Sequence, residues 1–146
     1  MRREYPEAPI VGVGAVIVKA GRVLLIQRAN EPNRGRWSIP GGTVELGETL
    51  TEAAAREARE ECQVEVEIGD LLSAVDLIQH DEKGRVRYHY VLIDLAARYV
   101  SGEPAAATDA LDVRWVREAE LAELDVVPRL LPVLRRALQL TGTPNG

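Results

Sequence analysis

Residues 41–64 read GGTVELGETLTEAAAREAREECQV, and the fold and the chemistry both turn on this stretch. Thr49-Leu50-Thr51-Glu52 matches a capping box, in which the Thr hydroxyl accepts from a free amide of the first turn and the Glu three residues on reaches back. The pattern predicts a helix starting at Thr49. Ala, Glu, Arg and Leu favour its continuation, no Gly or Pro intervenes before Gly69, and the β-branched Val64 and Val66 predict an end near Cys62 or Gln63.

At about 100° per residue, Leu50, Ala54, Glu57 and Glu61 fall within one arc, flanked by Glu60 and Ala53. Two carboxylates therefore share the only apolar stripe of the helix. Glu52, Arg56 and Arg59 are expected on the opposite side, with Glu52 and Arg56 forming a favourable i,i+4 pair. Acids on an inward stripe repel one another and resist desolvation unless a positive charge lies between them. Clustered hard oxygen ligands suit Mg2+ or Mn2+. The alternative is an Ala-rich helix whose acids line the edge of its buried face.

The preceding residues, Trp37-Ser38-Ile39-Pro40-Gly41-Gly42, form a short apolar run closed by two glycines. Such a run allows a tight turn with exposed amides and carbonyls. A loop entering a capped helix suits anion binding, and a free Gly carbonyl can ligate a cation.

These residues resemble the signature of the Nudix hydrolases, G-x5-E-x7-R-E-U-x-E-E-x-G-U with U a bulky aliphatic. Gly42, Glu48, Arg56, Glu57, Glu60, Glu61 and Val64 all stand at that spacing. Ala58 replaces a larger aliphatic, and Gln63 stands where the family has Gly. Gln63 matters if its position needs a left-handed backbone, which Gln adopts with strain. The expected effect is on stability and the helix exit, because no ligand atom is lost.

A chain of 146 residues, 46% hydrophobic, is long enough for one domain, residues 1–146, with its own core. No apolar run approaches a membrane span and MRREYPEAP lacks a signal-peptide core, so a cytoplasmic protein is expected. Cys62, the single cysteine, excludes an internal disulfide and a cysteine-based zinc cluster. A net charge of −5 argues against broad nucleic-acid or anionic-membrane binding.

Along the chain, Ile10–Lys19 and residues 23–28 read as a hairpin turning at Ala20-Gly21, followed by the polar loop 29–36. Arg28, Arg34 and Arg36 surround that loop, and guanidinium forks match phosphate oxygens, which makes Arg28 and Arg36 candidates for substrate binding. Residues 64–79 and 86–97 read as a second hairpin, with a bend at Gly69-Asp70. Tyr88 and Tyr90 share one of its faces, Arg87 and His89 the other, and Tyr88 is the candidate for contact with a base. Residues 98–109 form a loop, 111–116 a short strand containing Trp115, 118–124 a helical turn, and 128–140 a closing helix opened by Pro128. Strands followed by a helix, more strands and a helix predict a mixed α/β domain.

The resemblance implies an α/β/α sandwich with a mixed sheet, and hydrolysis of a nucleoside diphosphate linked to another moiety. It implies metal ligation by Glu60, Glu61 and the Gly41 carbonyl, with Glu57 as a ligand or general base. Arg56 orients the carboxylates, and Glu48 joins that network or a secondary metal site. Family members also supply an acid from a loop before a Trp-bearing strand, here Asp109 or Asp112, with Glu103 behind them. A small nucleotide is the expected partner, ADP-ribose or a similar nucleotide sugar first and a nucleoside triphosphate, as in MutT-like enzymes, second. A Nudix-like module that senses a nucleotide without cleaving it is the rival from another class. Homodimers are common in the family.

Overall fold

The computed structural model describes residues 2–31, 33–107 and 109–141. Its strands are β1 (Ile10–Lys19), β2 (Arg22–Arg28), β3 (Trp37–Ser38), β4 (Gly41–Thr43), β5 (Glu65–His80), β6 (Val86–Ser101) and β7 (Ala110–Arg117). Helix α1 (Leu50–Cys62) lies between β4 and β5, and α2 (Leu131–Thr141) closes the described chain after 3-10 turns at Glu118–Glu123 and Pro128–Leu130. The sheet order is β3-β2-β1-β6-β5, with β4 also pairing β1 and β7 also pairing β2.

Strand β1 is the seam of the sheet. It runs parallel to β6 from Ile10↔Tyr90 to Val18↔Arg98, and antiparallel to its other partners. Near the turn it pairs with β2 (Val18↔Val23); farther along, β4 takes that edge (Gly14↔Gly41). The turn itself has positive φ at both Ala20 (50°) and Gly21 (75°), the twist that a two-residue hairpin connection needs.

Both faces of β1 and β2 are buried, which explains their continuous apolar runs. On one face Val13, Ala15, Ile17, Leu24 and Ile26 pack against Ala53, Ala54, Ala58 and Cys62 of α1. On the other, Val16, Val23 and Leu25 pack against Leu130, Leu134, Ala137 and Leu138 at and beyond the start of α2. The result is the α/β/α sandwich with a mixed sheet expected from the sequence.

Several boundaries differ. β5 continues through Gly69-Asp70 with register shifts between Ile68 and Leu71, because bulges absorb the irregularity without a bend. β6 reaches Ser101, which shortens the loop before β7, and the closing helix begins as a 3-10 turn at Pro128. Leu50 is 39% exposed; the buried positions of α1 are Ala53, Ala54, Glu57, Ala58 and Cys62. The small Ala58 thus lies in the close contact between α1 and the sheet.

Candidate functional site

Helix α1 starts as its sequence dictates. The Glu52 amide donates to Thr49 Oγ1 (3.1 Å) and the Thr49 amide to Glu52 Oε1 (2.9 Å), completing the capping box. This reciprocal bonding takes Glu52 away from Arg56, so the i,i+4 pair expected between them does not form. Instead Arg56 turns back over the helix edge. Its Nε donates to Glu48 Oε2 (2.6 Å), its Nη2 to Glu48 Oε1 (2.9 Å) and to the Thr43 carbonyl (3.0 Å). Its Nη1 donates to Glu57 Oε1 (2.7 Å) and Glu60 Oε2 (3.2 Å). One guanidinium therefore ties the loop before the helix to two acids on it. The expectation that Arg56 faces away is overturned, because four carboxylates, of Glu45, Glu48, Glu57 and Glu60, and a carbonyl converge on its long side chain.

The Arg56 hydrogen bond and the Glu45 amide hold the Glu48 carboxyl down at about 2. Glu57 is pushed the other way: burial raises its pKa, and the nearby Arg56 only partly opposes this. The Glu57 carboxylate rests against Gly42, where an added Cβ would lie 2.5 Å from Oε1 and 2.8 Å from Oε2. Glycine at that position leaves the space the carboxylate fills.

Glu61, one turn on, points toward the same glycine segment. The Gly41 amide donates to it, while its Oε2 is buried without a hydrogen-bond partner. Burial first, then the charge of Glu57, push its carboxyl up to about 8; Asp109 adds to this, and the Gly41 amide and Arg28 oppose it. Arg28, at the end of β2, and Asp109, just before β7, therefore both lie close enough to act on Glu61. The loop reaches it because the Ala107 amide donates to the Glu61 carbonyl (3.2 Å) and the Ala105 amide to the Cys62 carbonyl (3.1 Å).

Glu60 has a largely exposed side chain on the Arg56 side of this group. Arg36 is drawn back into its own loop, donating to Asn33 Oδ1 (3.2 Å) and facing Asp125 (3.6 Å). Tyr88 lies on β6 opposite Gln79 of β5 and beneath the Arg87 guanidinium (5.3 Å). Asp112 and Glu103 are exposed, and Asp112 Oδ1 accepts from the Val113 amide (2.8 Å). The Thr43 carbonyl that anchors Arg56 had no sequence signal. Another buried pair, Asp94 with Arg129, did have one: a lone acid inside the apolar run VLIDLAA.

Among the described residues, no three His, Cys, Asp or Glu side chains close into a ready cage for a metal ion. Arg56 Nη1 occupies the place between Glu57 and Glu60. The unpartnered, buried Glu61 oxygen beside the raised Glu57 carboxyl is nonetheless an arrangement that a hard divalent cation would satisfy.

A family model for the NUDIX domain matches residues 8–137. The chain is 35% identical over 122 residues to an ADP-ribose pyrophosphatase of Methanocaldococcus jannaschii, covering 84% of this chain and 66% of that protein. It is 38% identical over 120 residues to the "Putative 8-oxo-dGTP diphosphatase 2" of Mycobacterium tuberculosis, covering 80% and 79% of the two chains. The crystal structure of a NUDIX hydrolase from Nitrosomonas europaea superimposes with a TM-score of 0.75 at 28% identity, over 94% of this chain and 74% of that one. With the acids of α1, Arg56 and the Gly41-Gly42 turn gathered at the spacing of the signature, the chain belongs to the Nudix hydrolases, a family of pyrophosphohydrolases.

Proposed function

We propose that this chain hydrolyses the diphosphate linkage of a nucleoside diphosphate derivative, a nucleotide sugar such as ADP-ribose first, with Mg2+ or Mn2+ as cofactor. The observation that carries the reading is the Glu61 carboxyl group, with one oxygen buried and unpartnered and with Glu57 and the Gly41 amide close enough to act on it. Glu57, Glu60, Glu61 and the Gly41 carbonyl are the proposed ligands. When bound, the cation would polarise the diphosphate oxygens and make an attacking water more acidic.

The chain's own residues supply the rest. Arg56 fixes Glu57 and Glu60, and Glu48 fixes Arg56, so the carboxylates meet the substrate already oriented. Arg28, beside Glu61, is the proposed phosphate contact, with Arg36 at the rim of the same loop. Water forms a bond to one phosphorus as the bond from that phosphorus to the bridging oxygen breaks. The bridging oxygen leaves with the other phosphate, and Glu57, Glu61 or Asp109 accepts the proton of the water. A second reading, cleavage of a nucleoside triphosphate, is favoured by the name of the Mycobacterium tuberculosis relative. We take the protein as one hydrolase domain acting on a small nucleotide in the cytoplasm.

The test is a panel of nucleotide sugars and nucleoside triphosphates incubated with Mg2+ or Mn2+, with products resolved by mass. Run in 18O-labelled water, the labelled product identifies the phosphorus attacked. Tight nucleotide binding with no cleavage under either metal would make the protein a sensing module and end the hydrolase proposal.

A further inference from the structure

Strand β5 is an outermost strand of the sheet, and the two halves of its free edge differ. The first half carries the devices that keep an edge from pairing with other chains. Glu65, Glu67 and Asp70 are charged and exposed, the register shifts between Ile68 and Ser73, and Arg136 Nη1 donates to the Leu72 carbonyl (3.2 Å). The second half lacks them. From Ser73↔Asp94 to Gln79↔Tyr88 the pairing with β6 runs residue for residue, and Asp76 is the one charge in a stretch without Pro or Gly. Among the described residues only β6 hydrogen-bonds to its backbone. This open half is also apolar, with Val75 38% and Ile78 47% exposed.

An edge of free amides and carbonyls is completed by another strand, and the charges of β5 select which. Glu65, Glu67 and Asp70 stand near its start; His80 ends it, and Lys83 and Arg85 lie in the turn beyond. Asp70 and Lys83 have no ion-pair partner among the described residues. A second β5 laid antiparallel sets the acidic start of each copy beside the basic end of the other. A parallel one would set acid beside acid. The pleat narrows the choice further. Opposite residues share a face, so a strand pairing with its own copy about a two-fold axis must place one residue opposite itself. Asp76 there would face its own charge. Val75 there brings two β-branched side chains together, with Ser73 opposite Leu77 and Ala74 opposite Asp76 of the second copy. Val75 is also exposed where Leu77, on the same face, is already half-buried, so covering it removes more apolar surface from water.

We infer that two copies of this chain associate β5 against β5, antiparallel about a two-fold axis at Val75, joining their sheets into one. The axis stands perpendicular to the joined sheet, so both α1 helices lie on one side of it and both α2 helices on the other. The two clusters of acids therefore open on the same side of the pair. No acid of α1 takes part in the contact, and the inference is independent of the hydrolase reading.

The experiment is size exclusion with light scattering on the full chain, from about 1 to 100 µM. With concentration the mass should rise from that of the 16.0 kDa chain to about twice that value. Val75→Lys sets two ammonium groups face to face and should raise the dissociation constant by about tenfold or more, leaving the fold intact because the side chain is exposed. Lys83→Glu should raise it by about two- to fivefold, and added salt should weaken the unmodified pair in the same sense. Cysteine cross-linking locates the axis. Under copper-phenanthroline in air, Val75→Cys should join two copies by a disulfide, because residues directly opposite lie within its reach. Ile78→Cys, held about 20 Å from its counterpart along the strands, should not. Cys62 is buried and should leave the unmodified protein uncrosslinked. A single-chain mass at every concentration would overturn the inference, as would a dimer that Val75→Lys leaves intact or equal cross-linking at positions 75 and 78. Should Val75→Lys fail to fold, the two cysteine variants decide.

Discussion

Replacing Gln63 with Gly should make the protein more stable without altering its chemistry. Gln63 caps α1 in the left-handed conformation, φ 60° and ψ 34°, with its amide donating to the Arg59 carbonyl. A side chain with a Cβ pays about 1–2 kcal/mol to adopt that conformation, because the Cβ crowds the following carbonyl. Glycine removes the crowding but loses about 0.5–1 kcal/mol through its freer unfolded chain. The net gain is about 0.5–1 kcal/mol, a rise in Tm of about 1–4 °C for a domain of this size. Thermal and urea unfolding of Gln63→Gly and Gln63→Ala measure it. Alanine keeps the Cβ and should gain nothing. A Gln63→Gly protein that melts at or below the original temperature, or an alanine variant that gains as much, would refute backbone strain as the cause.

Gly42→Ala should leave Tm within about 2 °C while weakening Mn2+ binding by about 10-fold or more, because the new methyl meets a flexible carboxylate and displaces it; electron paramagnetic resonance titration of Mn2+ reads the change. Arg56→Ala should weaken Mn2+ binding by about 10- to 100-fold in the same titration, since Glu57 and Glu60 lose the group that orients them. Glu61 gives a pH dependence. Its folded-state value of about 8 lies above the unfolded 4.5, so in EDTA its stabilising contribution is complete below about 4.5 and is lost as pH rises through about 8. Melting curves from pH 5 to 9 should therefore show a falling Tm that Glu61→Gln flattens, and an unchanged slope in that variant would rule out Glu61 as its source.

Local signals made α1 legible. The capping box, the run of helix formers and the β-branched exit all act within a few residues of the bonds they create, and the helix occupies Leu50–Cys62 as read. The carboxylate face was legible too, because Glu57 and Glu61 are fixed by helical period alone. Helical period misread Arg56 for the opposite reason, while the resemblance had it paired with the carboxylates. Period gives the direction of its Cβ, whereas its guanidinium follows partners in a preceding loop, Glu48 and the Thr43 carbonyl. The bend expected at Gly69-Asp70 failed similarly, since pairing along β6 carries β5 through two residues that locally favour a turn. Asp94 and Arg129 are separated by the end of β6, all of β7 and the first 3-10 turn, and only the completed sheet brings them together.

The parallel pairing of β1 with β6 also governs when the site can exist. As the polypeptide emerges during synthesis, β1, the glycine turn and the acidic helix appear long before the strand that must lie beside β1. Until β6 is made, the strand that carries Gly14 against Gly41 has one edge bare, and long-range pairings of this kind form slowly. A nascent fragment ending before Val86 thus contains every acid of the signature yet lacks the neighbour that fixes their background, so the chemistry is withheld until most of the protein has been translated.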